Sequence, residues 1–110
     1  MKLPVLLALS IFALTGTATA DERLYVGAWK GAGTGQNGVY SSIRFLGGDQ
    51  MEYCFKNDCY GWAIKGDPKK KVTFKGDSGR WVFKRLDEDT FDGVFTNSSG
   101  GVYKSKYVAK

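Results

Sequence analysis

The sequence predicts an all-β fold, a small eight-stranded antiparallel up-and-down barrel. A two-sheet β-sandwich of the same strands is the alternative. Three observations predict this class. Seven clusters of turn-forming residues recur about ten positions apart between Gly33 and Gly101. The runs between them are short and rich in Val, Ile, Tyr, Phe, Trp and Thr, which is strand composition at barrel or sandwich spacing. Within those runs apolar and polar residues alternate, as in antiparallel strands with one buried face.

The chain opens differently. Met1-Lys2 is basic, Leu3 to Leu14 is almost wholly apolar, and Ala18-Thr19-Ala20 fits the small-x-small rule for signal cleavage. That apolar core is shorter than the ~20 residues a spanning helix needs. Residues 1–20 are therefore expected to be a cleaved signal peptide, and 21–110 a single barrel domain in a secreted or periplasmic protein. No stable membrane insertion is expected. The whole chain carries 16 Lys plus Arg and 11 Asp plus Glu; Lys2 is the one charge in the signal, so the net charge of +5 falls to +4. A mildly basic surface suits anionic partners, although it also serves solubility.

The strands follow in order. The first carries Gly27-Ala28-Trp29. After the glycine-rich stretch Gly33 to Gly38 comes Val39 to Leu46, closed by Gly47-Gly48-Asp49. In the third, Met51, Tyr53 and Phe55 share one face, and Gln50, Glu52 and Cys54 the other. A two-residue loop at Lys56-Asn57 would pair Phe55 with Asp58, Cys54 with Cys59, Tyr53 with Tyr60 and Met51 with Trp62. Cys54 and Cys59 then fall at a close, non-hydrogen-bonded position that accepts a disulfide. The fourth strand sets Tyr60, Trp62 and Ile64 on one face, before the turn Gly66-Asp67-Pro68. Val72 with Phe74, Trp81 with Phe83, and Phe91 with Phe95 mark the inward faces of the next three. The turns Gly76 to Gly79, Asp87-Glu88-Asp89 and Asn97 to Gly101 separate them from each other and from the last strand, which bears Lys104 and Lys106.

Several motifs suggest chemistry that their context denies. Gly33-Thr34-Gly35-Gln36-Asn37-Gly38 matches G-x-G-x-x-G, but a dinucleotide site needs a helix next, and here a strand is predicted. The chain has no histidine, which removes His-based triads and the commonest zinc ligand. Asp87, Glu88, Asp89 and Asp92 read as a solvated acidic turn: they lack both two carboxyls opposed across a cleft and the ligand spacing of an EF-hand. Lys69-Lys70-Lys71, with Lys65, Lys75, Arg80, Lys84 and Arg85, could form a basic surface. The nearby aromatics alternate inward, however, so no base-stacking platform and no nucleic-acid partner are expected. Asn97-Ser98-Ser99 has the form of a glycosylation sequon. No enzyme activity, cofactor or metal is expected.

Gly27-Ala28-Trp29, the strand count and the meander order resemble the lipocalin-like, or calycin, barrels. The resemblance implies an eight-stranded barrel whose tryptophan closes one end and whose interior holds a small apolar ligand. The chain departs from that pattern: it is much shorter, lacks a Thr-Asp-x-x-Tyr-like turn, and lacks the late arginine that packs over the tryptophan. Two functions are carried forward. One is a binding barrel for a small apolar or amphipathic ligand, lined by Trp29, Tyr53, Trp62, Phe74, Trp81 and Phe83. The other is an envelope protein-binding module, such as a hydrolase inhibitor, acting through its glycine-rich loops. A monomer is expected in either case.

Overall fold

The computed structural model describes residues 23–31 and 38–110. The predicted signal peptide and the body of the glycine-rich stretch lie outside the described residues. Among the described residues nine strands form one antiparallel sheet: β1 (Tyr25–Trp29), β2 (Val39–Gly47), β3 (Gln50–Phe55), β4 (Asp58–Ala63), β5 (Lys65–Asp67), β6 (Lys71–Gly76), β7 (Gly79–Asp87), β8 (Thr90–Asn97) and β9 (Val102–Ala109). The order across the sheet is β4-β3-β2-β1-β9-β8-β7-β6-β5. The sheet curls into a nearly closed barrel. First and last strands pair, at Val26 with Val108 and Tyr25 with Ala109, and a bridge joins Lys30 to Lys104.

The count is nine, not eight, because the fourth predicted strand breaks at Ile64. That side chain is buried, and its N–H donates to the Asp49 carbonyl at 2.8 Å, outside any strand pairing. The chain then turns away from β3, and Lys65–Asp67 pairs with β6 instead. The residues read as a turn, Gly66 and Asp67, are thus a short edge strand. Its following bend is stabilised by Lys70 N–H donating to Asp67 O and Lys69 N–H donating to Asp67 Oδ1.

No strand pairing joins β4 to β5 or β6 among the described residues. This seam is closed by side chains. The Trp62 ring stacks on Phe74 with centroids 4.7 Å apart and lies over Gly76, where a Cβ would come within 2.6 Å of its Cη2. A side chain at Gly76 would displace the indole that bridges the gap.

The hairpin register is as the sequence predicts: Phe55 with Asp58, Cys54 with Cys59, Tyr53 with Tyr60, Met51 with Trp62. Lys56 takes positive φ in the two-residue turn, as such hairpin turns require. Cys54 and Cys59 form a disulfide, consistent with an oxidising compartment. Closing so short a loop contributes about 2 kcal/mol in the chain-entropy model; its main structural effect is to hold the register of β3 and β4.

Alternation places the core inside the barrel. Tyr25, Ile43, Phe45, Met51, Val72, Phe83, Phe91 and Tyr107 are at most about 1% exposed. Rings fill the interior edge to face: Tyr25 on Phe91 at 5.1 Å, Phe83 on Tyr107 at 5.4 Å, Trp29 on Tyr107 at 5.7 Å. One end is plugged by Arg85. Its guanidinium lies 4.4 Å from the Phe91 centroid and donates to the carbonyls of Pro68, Asp87 and Glu88. Arg23 pairs with Asp89 beside it at 2.9 Å.

The Tyr107 and Ser41 hydroxyls are paired in the core. The Tyr107 hydroxyl donates to Ser41 Oγ at 2.7 Å, and Ser41 donates to the Cys54 carbonyl at 2.6 Å. Burial pushes the Tyr107 hydroxyl well above the usual phenol range, an effect that the Ser41 hydrogen bond opposes only in part. An unfolded tyrosine ionises near ~10. Above that pH the unfolded chain loses a proton that the folded chain keeps, so stability is full below ~10 and falls as pH rises further. Alkaline titration followed by circular dichroism should show unfolding together with tyrosinate absorbance. A Tyr107 that ionised near ~10 with the fold intact would contradict its burial.

Candidate functional site

In a meander the turns alternate between the two ends of the barrel. Opposite the Arg85 plug lie the Lys56-Asn57, Asp77-Ser78 and Ser98-to-Gly101 turns, with Lys30 and Gly38 at the same end. Here the interior opens. A cleft of about 700 Å³ is lined by Trp29, Val39, Tyr53, Phe55, Tyr60, Trp62, Asp77, Ser78, Trp81, Phe95, Asn97 and Tyr103. Eight of these twelve side chains are aromatic, and the volume falls within the usual range for small-molecule sites.

Each wall follows from the register. Trp81 pairs with Phe95 and with Phe74, and Phe95 with Tyr103. Paired inward residues on neighbouring strands stack as a ladder. Centroid distances run 4.7 Å from Trp62 to Phe74, 4.7 Å to Trp81, 4.5 Å to Phe95 and 5.9 Å to Tyr103. Opposite the ladder, Trp29 Nε1–H donates to the Tyr53 hydroxyl at 2.9 Å. Burial raises the Tyr53 pKa, while hydrogen bonds from its neighbours oppose the shift. Tyr53 is therefore neutral at physiological pH.

Two indole N–H groups in this wall have no hydrogen-bond partner: Trp62 Nε1 and Trp81 Nε1 are buried without one. Trp81 Nε1 is near the Tyr53 hydroxyl but outside bonding geometry. An unsatisfied buried donor costs roughly 1–3 kcal/mol, and such groups are uncommon in native proteins.

Of the six aromatics read from the sequence as a ligand set, Trp29, Tyr53, Trp62 and Trp81 line the cleft. Phe74, stacked between Trp62 and Trp81, and Phe83 are packed in the core and do not line it, Phe83 being fully buried. The lining also includes Phe55, Tyr60, Phe95 and Tyr103, which alternation alone did not separate from the core. Their signal was position beside a turn at the open end. Trp29 lies at the open end and lines the cleft, while Arg85 packs over Tyr25 and Phe91 at the other end.

Among the described residues that line the cleft, Asp77 is the one charged residue. Glu52 lies beside Cys54 and Cys59, but the sulfurs are bonded to each other and cannot serve as thiolate ligands. Asp87 is held below the usual carboxylate range, mainly by the Asp89 backbone N–H, as expected of a solvated turn. A second depression, of about 580 Å³, lies on the outer surface among Ala28, Lys30, Asp92, Lys104 and Lys106.

The fold and cleft together define a small antiparallel β-barrel with a filled interior and an aromatic mouth. No family model matches the chain, and neither a curated protein nor a solved structure matches it.

Proposed function

We propose that the protein is an exported, non-enzymatic binding barrel that takes a small apolar or amphipathic ligand in its aromatic cleft. The observation that carries this reading is the cleft itself: eight aromatic side chains around about 700 Å³ at the mouth of an otherwise filled barrel. The calycin resemblance of Gly27-Ala28-Trp29 and the barrel supports the same function. Export rests on the N-terminal sequence and agrees with the disulfide.

Native mass spectrometry of the protein from its own host tests this reading. A small molecule that leaves on denaturation supports it. Titration with the apolar fluorophore N-phenyl-1-naphthylamine then locates the site. Tyr60 is 55% exposed, so Tyr60→Ala should change stability by no more than about 0.5 kcal/mol. Removing this ring from the cleft should weaken probe binding several-fold. Unchanged binding in Tyr60→Ala and in Trp62→Ala would remove the cleft as the site.

The exposed rings of Phe55 and Tyr60 at the rim favour a second reading, an envelope protein partner seated on the mouth. A clean apo mass with a co-purifying protein lost in Tyr60→Ala would select it.

A further inference from the structure

The outer face of β5–β7 concentrates positive charge. Lys65, Lys71, Lys75, Arg80 and Lys84 all project outward and are exposed, with Lys69 and Lys70 in the adjoining bend. Pairing sets like charges directly opposite each other, Lys71 against Lys84 and Lys75 against Arg80. Like charges in opposed positions destabilise a sheet. Asp67 and Asp92 stand on either side of the first pair, yet neither reaches bonding distance. Among the described residues the ion pair formed is Arg23 with Asp89, at the plugged end. The sheet thus tolerates a repulsion that a single Glu in either pair would relieve.

The face also limits its partner. Between the charges lie Thr73 and Val82, and among the described residues no aromatic ring stands on this face for stacking on bases or sugars. The three strands give a two-dimensional array roughly 10 Å across and 13 Å along, from strand spacing and rise. Such an array matches a plane of phosphates better than a single track.

We propose that the outer face of β5–β7 docks on an anionic lipid surface, its lysines and Arg80 neutralised by headgroup phosphates. This does not depend on what the cleft binds. The protein, as recovered from a cell that exports it, should sediment with phosphatidylcholine vesicles containing phosphatidylglycerol. It should not sediment with phosphatidylcholine alone, and added salt should release it. Each basic residue near such a surface strengthens binding about fivefold. Lys71→Gln, Lys75→Gln, Arg80→Gln and Lys84→Gln together should therefore weaken binding at least ~20-fold. The matched set Lys30→Gln, Lys104→Gln, Lys106→Gln and Lys110→Gln removes equal charge from elsewhere and should weaken it less than ~5-fold.

A second arm separates docking from folding. Lys75→Glu makes the pair with Arg80 attractive, so the melting temperature should hold or rise while vesicle affinity falls at least ~10-fold. Equal loss in the two quadruple variants, equal binding to neutral vesicles, or unchanged affinity in Lys75→Glu overturns the proposal. Binding to heparin but not to vesicles overturns it as well, and points to a soluble polyanion.

Discussion

Phe83→Ala should destabilise the protein by about 3–5 kcal/mol. Phe83 is fully buried and packs against Trp29, Tyr53, Phe74 and Tyr107. Truncation removes the transfer energy of the ring and leaves a cavity whose walls are themselves rings held by other strands. Those walls can collapse only in part. A domain of this size has a total stability of about 5–15 kcal/mol, so the variant loses a large fraction of it and, at the low end of that range, unfolds at room temperature. Denaturant unfolding of the two proteins measures the difference. A loss below about 1 kcal/mol would mean that the site relaxes freely, and that the barrel interior is looser than its burial shows.

Gly27→Val should cost about 3 kcal/mol or more, by overpacking rather than by a cavity. Gly27 is on β1, and a Cβ there would come within 2.4 Å of Ser105 Oγ and 2.6 Å of the Lys106 carbonyl oxygen on β9. A hydroxyl can rotate away; a strand backbone cannot. The substitution therefore pushes β1 from β9, the pairing that joins the two ends of the chain's strand order. Gly61→Val is the internal control. Its Cβ would meet nothing within 4 Å, and valine suits a strand, so its effect should stay within about 0.5 kcal/mol. Thermal melts report the stabilities, and hydrogen exchange at β1 and β9 amides reports where Gly27→Val acts. Equal melting temperatures for the two variants would refute the close approach.

Both residues show what the sequence makes legible. Period-two alternation placed Tyr53, Phe74, Trp81, Phe83, Phe91 and Phe95 on the inner face, and the Lys56-Asn57 turn set the register of β3 and β4 through the disulfide. The break at Ile64 was hidden. Lys65-Gly66-Asp67 has turn composition, and three residues are too few to show a period, so local chemistry reported a turn where tertiary pairing makes a strand. The site was legible by face but not by depth. Alternation says that Phe83 and Trp81 both point inward; it does not say that one is mid-barrel and the other near the mouth. Depth follows from which end each turn occupies, and Phe55, Tyr60 and Tyr103 belong to the cleft because they flank turns at the open end. The role of Gly27 was visible only as part of a three-residue motif, since the close approach it allows involves a strand about 80 positions away.

The seam has a consequence for motion. Every other strand boundary in the barrel is a ladder of backbone hydrogen bonds, and widening any of them breaks several together. Between β4 and β6 the closure is the stacking of Trp62 on Phe74 and Gly76. Swinging β4 outward gives up ring contact but no ladder, so this wall opens at lower free energy than global unfolding. Tyr60 and Trp62, both on β4, line the cleft. The mouth can therefore change its width through one displaceable jamb, while β6–β9 and the filled interior hold the rest of the frame rigid.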